Sequence, residues 1–483
     1  MTAIRLIPGH VSNSGLKALL IAPAGRTTPT VTLTGTGAPD RVRATALDRS
    51  DAFAAAMADH DAALYLVDVA GLRANTAYTL TAKRGRNSHT VTLRTLPNKL
   101  PKKGMTVYVG SCYFQTGALN RAPDLIDSLE ENESGFAPPL FRMMVGNNLY
   151  FDLPLMDPTQ GRGYPDAVGR YLSYFRSGDY ADFLSMLPTV TTWDDHEFWN
   201  NFPESQFQVK YSKPPFVKDY TAAARECLQL FQASLNPAPV SADGKSLSCA
   251  FDACGISFFL ADTRSNRTKM QRATPRIMTA ADMKELRAWA AGLETPGVLV
   301  LGQPLWLAKG TAQTDFTPAN YEGDFGEIWQ ALETAPFDIL VVSGDVHYNR
   351  LIQYGSDQRT VTEFVSSPAS LIRPNVGKLP NLLNPIKAPG SLKAKCPDGP
   401  ARDLKFKRYI MGSHAKSAFG LLNFQSHATK LSTVTVAAAF MHSGSGPGHC
   451  IDLKTGRLER QRTPPGRRDC ILEDRRRIVL GPR

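Results

Sequence analysis

The chain has 483 residues, 42% hydrophobic and 20% charged, with a formal net charge of +11 and a pI near 9.3. That length predicts more than one domain, or one large domain with an accessory module. The composition excludes a disordered or fibrous chain, and no run reaches the ~20 apolar residues that span a membrane.

The start, "MTAIRLIPGHVSNSGLKALLIAPAG", lacks a basic segment followed by an unbroken apolar one. No signal peptide is expected, which predicts a cytoplasmic protein unless a leader has been trimmed. Residues 1–97 read as all-β. "TVTLTGTG", "ALYLVDV", "AYTLTAKRG" and "HTVTLRTLP" are short Thr-, Val- and Leu-rich runs separated by turn residues. Their spacing predicts a small sandwich of immunoglobulin or fibronectin type, with a buried tyrosine on the penultimate strand. Residues 98–104, inside "PNKLPKKG", form a Pro- and Lys-rich linker.

From residue 105 to 483 the pattern becomes α/β. "TVYVGS" and "FRMMVG" read as strands, "YADFLSML" as a helix and "TVTTWDDHE" as a strand ending in polar residues. "ISFFLADTR" is a further strand. "TAADMKELRAWAAGL" is helical, with Thr279 as N-cap and Asp282 three residues on. "GVLVLGQP" is a strand, "FGEIWQALETA" a helix, and "FDILVVSGDVHYNR" returns to strand. Five of these strands end in ligand-like side chains: Ser111-Cys112, Asn147 to Asp152, Asp194 to Glu197, Asp262 with Arg264, and Asp345 with His347. Sites in α/β folds gather outside the carboxyl ends of strands, so one shared site is expected.

Each cluster has a chemical and a structural reading. Asp194 and Asp195 repel each other unless a cation or an arginine stabilises them. His196 ligates metal or donates a proton, and the same segment also fits a helix N-cap cluster. Asp345 and His347 flank Val346, so both project to one side if the strand continues; a metal pair and a buried His–Asp hydrogen bond are both open. Cys112 is a soft ligand if ionised, favouring iron or zinc, and otherwise a core thiol. Asp262 and Arg264 suit phosphate recognition or a plain ion pair. Together the residues suggest two or more cations in a cup that activates water and clamps phosphoryl oxygens.

"VGSC", "GNNLYFD", "WDDHEFWNN", "FFLADTR", "LGQPLWL" and "SGDVHYNR" resemble, in order and approximate spacing, the motifs of the PhoD-like alkaline phosphatases and phosphodiesterases of the metallophosphoesterase superfamily. The β-rich start ending in "TLP" resembles that family's leading domain. The resemblance implies a four-layer αββα sandwich and metal-dependent hydrolysis of phosphomonoesters or phosphodiesters, and of phosphotriesters as a further class. It implies Fe3+ with Ca2+, with Zn2+ or Mn2+ as alternatives. Carried over, Cys112 and Tyr150 would hold iron. Asp195, Asp345 and His347 would ligate metal, and Asn147 stands where the family has a bridging aspartate. His196 would assist the leaving group; Asp194 and Arg264 would lie behind the metals or beside the phosphate.

Asn147 departs from that pattern, since an amide offers one neutral oxygen and an NH2 that binds no cation. Three readings follow: an introduced inactivating change, a natural centre with altered or fewer metals, and a phosphate-binding or sensor protein without turnover. The partner expected is a small anionic ester. Specific nucleic-acid binding is not expected, because aromatics are sparse among the basic residues of "KLPNLLNPIKAPGSLKAKCPDGPARDLKFKR" and "RRDCILEDRRR". The lack of a visible export signal leaves room for intracellular turnover of a phosphodiester or a xenobiotic organophosphate. Residues 1–97 pack against the rest or bind partners, and removing them spares the chemistry unless it destabilises the fold. Of seven cysteines, Cys249 and Cys254 would close a small loop if oxidised. The stretch from His442 to His449 reads as an ordinary loop or a glycine-rich lid edge.

Overall fold

A computed structural model describes residues 4–482, save 26, 48, 114–135, 153–162, 177, 207–208, 243, 313, 370–387, 413–417, 428–431, 443–448, 453–456, 461–470 and 473–475. The expected lid edge between His442 and His449, Cys470 and most of the arginine-rich tail lie outside the described residues.

The N-terminal region is β-rich. Strands β1 (Arg5–Val11), β2 (Gly15–Ala22), β3 (Thr30–Thr34), β4 (Ala44–Ala46), β5 (Ala63–Ala70), β6 (Ala77–Arg84) and β7 (Asn87–Arg94) form two antiparallel sheets, ordered β1-β2-β5-β4 and β3-β6-β7. β3 alternates exposed threonine with buried Val31 and Leu33, the period of a half-buried strand. Tyr78, on the penultimate strand β6, is buried; its hydroxyl donates to Thr36 O (3.0 Å) and accepts from Arg73 N (2.9 Å). Helix α1 (Asp51–Asp59) is inserted between β4 and β5, with Ser50 Oγ accepting from Phe53 N.

The remainder is a mixed α/β fold. Its elements in chain order are β8 (Met105–Gly110), β9 (Pro139–Val145), α2 (Tyr164–Phe175), α3 (Asp179–Met186), β10 (Thr189–Thr192), α4 (Val217–Cys227), β11 (Cys249–Ala253) and β12 (Ile256–Leu260). Then come α5 (Ala280–Ala291), β13 (Gly297–Val300), α6 (Glu322–Thr334), β14 (Ile339–Ser343), β15 (Arg350–Gly355), β16 (Thr360–Val365), β17 (Ser391–Ala394) and β18 (Arg402–Gly412). The chain closes with β19 (Ala418–Ser426), β20 (Val434–His442), β21 (His449–Asp452), β22 (Arg457–Arg460), β23 (Ile471–Leu472) and β24 (Arg476–Leu480).

One sheet runs β10-β9-β8-β19-β20, with β23 and β24 both pairing β20. The other runs β11-β12-β13-β14-β16-β15-β18-β17. β8, β9 and β10 are mutually parallel, as are β12, β13, β14 and β16. Helices cross over between them: α2 and α3 join β9 to β10, α5 joins β12 to β13, and α6 joins β13 to β14. The parallel strands β8, β10, β13 and β14 are buried along their whole length, as strands covered on both faces are. Thr279 caps α5, accepting from Asp282 N at 3.0 Å.

Side-chain alternation sorts these strands between cores. Val107, Val109, Met143 and Val145 meet Phe258, Leu260, Val298, Val300, Leu340 and Val342 between the two sheets. Tyr108 and Met144 point the other way, against Tyr171, Leu172 and Phe175 of α2. Phe259, Leu299 and Val341 pack on Met283 and Leu286 of α5 and on Phe325 and Trp329 of α6. The N-terminal region joins these cores: Ile7, Leu19, Ile21, Phe53, Met57 and Leu64 share the cluster that holds α2. Polar ties reinforce the seam, with Ser50 N and Oγ on the Glu226 carboxylate (3.0 and 2.8 Å) and Ser185 Oγ donating to Leu6 O (3.0 Å).

Cys249 and Cys254 are free and buried. They stand at the start of β11 and just past its end. Five extended residues at about 3.3 Å each separate them too far for a disulfide, whose Cα atoms lie within ~7 Å. The expected loop closure is corrected on that ground.

Candidate metal centre

The floor of the site is made where strand ends of both sheets converge. β9 stops at Gly146, whose φ of +92° only glycine adopts freely. β14 stops before Gly344, where a Cβ would overlap Ser111 and the Val145 carbonyl. Just past these ends the backbone turns left-handed at Cys112 (φ 57°), Asn147 (53°), Asp345 (67°) and His347 (50°). Such conformations cost of order 1–3 kcal/mol each outside glycine and gather at functional sites. Because β14 ends at Ser343, Asp345 and His347 do not share one side of a strand. The turns aim Asp345 at the other carboxylates and His347 at Tyr150.

Asp194, Asp195 and Asp345 bring carboxylate oxygens within 4.8 Å of one another. Among the described residues they are the group of three acidic, cysteine or histidine side chains close enough to share one ion. Burial, with Asp194 and Asp195 alongside, holds the Asp345 carboxyl well above the usual range; burial raises Asp194 too, despite its arginine. Asp195 Oδ2 accepts from Asn201 N (2.6 Å), while its buried Oδ1 has no hydrogen-bond partner among the described residues. Crowded carboxylates with an orphaned oxygen are a hard-donor set that suits Ca2+ or Mn2+.

Arg264 is fully buried and its five N–H groups are all engaged. Nε and Nη2 donate to the two oxygens of Asp194 (2.7 and 2.9 Å). Nη2 and Nη1 donate to Asp315 (2.6 and 3.3 Å), and Nη1 also to Phe202 O (2.7 Å). No N–H remains for a phosphate, so the phosphate-clamp reading of Arg264 gives way to a role in holding Asp194. Asp262 stays outside the cluster, accepting from Trp193 Nε1 and Ser265 N (both 2.8 Å).

His196 lies at the site edge, its side chain 12% exposed, with Nδ1 2.7 Å from Asp152 Oδ1. Asn200 N donates to the other oxygen of Asp152 (2.9 Å). Burial alone would lower the imidazole's pKa, but the Asp152 and Asp195 charges outweigh it and raise it to about 10. Glu197, read from sequence as a third carboxylate of the cluster, instead accepts from the backbone N–H groups of Asn147, Asn148 and Asp194 (3.1, 2.7 and 3.0 Å). It ties the turn after β9 to the turn after β10.

Asn147 sits between two halves of the centre. Its Oδ1 accepts from His196 N (3.1 Å); its Nδ2 donates to Asp345 Oδ1 (2.9 Å) and Cys112 Sγ (3.7 Å). On the far side Cys112 is fully buried; its Sγ donates to Asp345 O (3.3 Å) and accepts from Ser367 Oγ (3.2 Å). Tyr150 OH meets His347 Nε2 at 3.1 Å. Burial and the Asp345 charge push the Cys112 thiol up to about 12, and burial with the His196 charge lowers His347 to about 4.

Sequence reasoning missed Gln303, Asp315 and Ser367. Gln303 Nε2 bridges Asp315 Oδ2 (2.9 Å) and Asp345 Oδ2 (3.4 Å). It follows β13 within "LGQPLWL", so the strand-end rule could have found it. Asp315 sits in a loop without local pattern, and Ser367 after β16 lacks a ligand-like neighbour.

The chain is thus a mixed α/β fold of two large sheets with an acidic, arginine-buttressed cup at their strand ends. Residues 165–398 match the family model described as PhoD-like phosphatase. A solved structure of PhoD is similar at 13% identity and a TM-score of 0.57, over 95% of this chain and 92% of that one. The purple acid phosphatase PPD1 from yellow lupin (Lupinus luteus) seeds is similar at 11% identity and a TM-score of 0.55, over 95% and 73%. No curated protein matches the chain.

Proposed function

We propose that the chain hydrolyses phosphate esters, with water as nucleophile, at a hard cation held by Asp194, Asp195 and Asp345. The observation that carries this is the carboxylate trio, with Asp194 and Asp195 buried and Asp345 half-buried, and an Asp195 oxygen without a partner among the described residues. A bound cation would supply an acidified water and neutralise phosphoryl oxygens. Arg264 opposes protonation of Asp194 and aims it, and Asp152 orients His196, which delivers a proton to the leaving oxygen. With the Asn147 NH2 facing Asp345 and Cys112, a cation such as Fe3+ at Cys112 and Tyr150 lacks a bridging carboxylate, and no step is assigned to it. Zn2+ or Mn2+ stand as alternatives to Ca2+, and the ester is a phosphomonoester or phosphodiester, with a phosphotriester as third candidate. We read the three cores as those of a four-layer αββα sandwich, residues 105–483, preceded by the sandwich of residues 1–97. A second reading, a phosphate-binding or sensor protein without turnover, is favoured by Asn147 alone.

Chelation tests the proposal. Stripped protein should lose hydrolysis of aryl phosphate mono- and diesters, and Ca2+ or Mn2+ should restore it to the native chain but not to Asp345→Asn. Cation at 100 times its Kd should stabilise the stripped protein by about 2.7 kcal/mol. Full turnover in excess chelator would sink the reading.

A further inference from the structure

The two halves of the centre differ in what they lack. The carboxylate half has crowded charge and an orphaned oxygen. The Cys112 half is closed by hydrogen bonds: thiol to Asp345 O, Ser367 Oγ to thiol, phenol to imidazole. Asn147 fixes this difference. Turning its amide over would set Oδ1 against Asp345 Oδ1 and Nδ2 against the His196 N–H, so its orientation is determined by its neighbours. The NH2 therefore faces both Asp345 and Cys112, where a second cation would need an anionic oxygen. Cys112 and His347 also fall outside the group of side chains close enough to share one ion.

We propose that Asn147 makes this a single-cation centre: Asp194, Asp195 and Asp345 hold the ion, and the Asn147 amide takes the place of a second ion beside Cys112, Tyr150 and His347. This rests on the metal-dependent reading above and specifies its stoichiometry. The Asn147 N–H to Glu197 and the left-handed backbone are both compatible with aspartate, so one substitution restores the missing charge without moving the chain.

The test is metal content by plasma mass spectrometry after equilibration with Ca2+, Mn2+, Zn2+ and Fe3+, with visible absorption recorded for phenolate-to-iron charge transfer. The native chain should carry one cation and no such band. Asn147→Asp should carry two, with the band when iron is supplied. Cys112→Ser should keep the single cation, which decides the matter even if Asn147→Asp misfolds. Two cations in the native chain, the second lost on Cys112→Ser, would overturn the proposal, and so would none. The hydrolase reading fails separately: cation counts as stated with no ester cleaved by either protein would remove the activity and leave the stoichiometry.

Discussion

Arg264→Ala should lose about 3–5 kcal/mol of stability and its capacity to hold the cation, because it strands two buried carboxylates, Asp194 and Asp315. In the native chain one guanidinium grips both, bidentate on Asp194, and it reaches no solvent. Without it Asp194 either takes a proton or swings from its place beside Asp195, and in both cases the hard-donor set is one short. Arg264→Lys should fare little better. An ammonium is a point charge with three donors and cannot span two carboxylates and the Phe202 carbonyl as the planar fork does. Urea unfolding of stripped protein measures the stability and cation titration the second loss. A variant within 1 kcal/mol of native that still binds the cation would show that the Asp194 pair is incidental.

Deleting residues 1–97 should yield an aggregated or unfolded remainder, although every candidate ligand lies beyond residue 110. The reason is the shared core. Ile7, Leu19, Ile21, Phe53, Met57 and Leu64 are buried in the cluster that includes Tyr171, Leu172 and Phe175 of α2. Fully burying such a side chain is worth about 1.5–3 kcal/mol. A domain's whole net stability is about 5–15 kcal/mol, so the loss of these contacts exceeds what the remainder can bear. Glu226 would also lose Ser50, its partner across the seam. Light scattering and a thermal melt decide it. A monodisperse truncated protein with a sharp transition would mean that the two regions merely touch. Loss of the chemistry on truncation would then follow from the condition attached to that expectation, the stability of the fold.

The strand ends were readable because a buried strand that breaks into Asp, His and Asn is a local pattern: β8, β9, β10, β12 and β14 are where "TVYVGS", "FRMMVG", "TVTTWDDHE", "ISFFLADTR" and "FDILVVSGD" place them. The Thr279 cap was readable for the same reason. β1, β2 and α1 carry no such local pattern. "RLIPGHV" carries a proline and a glycine, and the alanine-rich "DAFAAAMAD" owes its helix to the Ser50 cap and to packing rather than to a strong apolar stripe. Partnerships between distant residues were invisible. Arg264 has the same letters whether it binds a phosphate or two aspartates. Only the path of the loop bearing Asp315, and the turn bearing Asp194, decides between them.

Asp194 and Asp195 belong to the sheet of β10, Asp345 to the sheet of β14. An ion among them would consequently be a rivet through the two sheets at one edge, added to direct ties such as Thr192 Oγ1 to Ala261 O and Ser366 Oγ to Val109 O. Loading the centre should then slow amide hydrogen exchange together at the ends of β10 and β14, which share no hydrogen-bonded ladder. The ion would thus set how far the sheets can shear, and chemistry and mechanical cohesion would depend on the same three side chains.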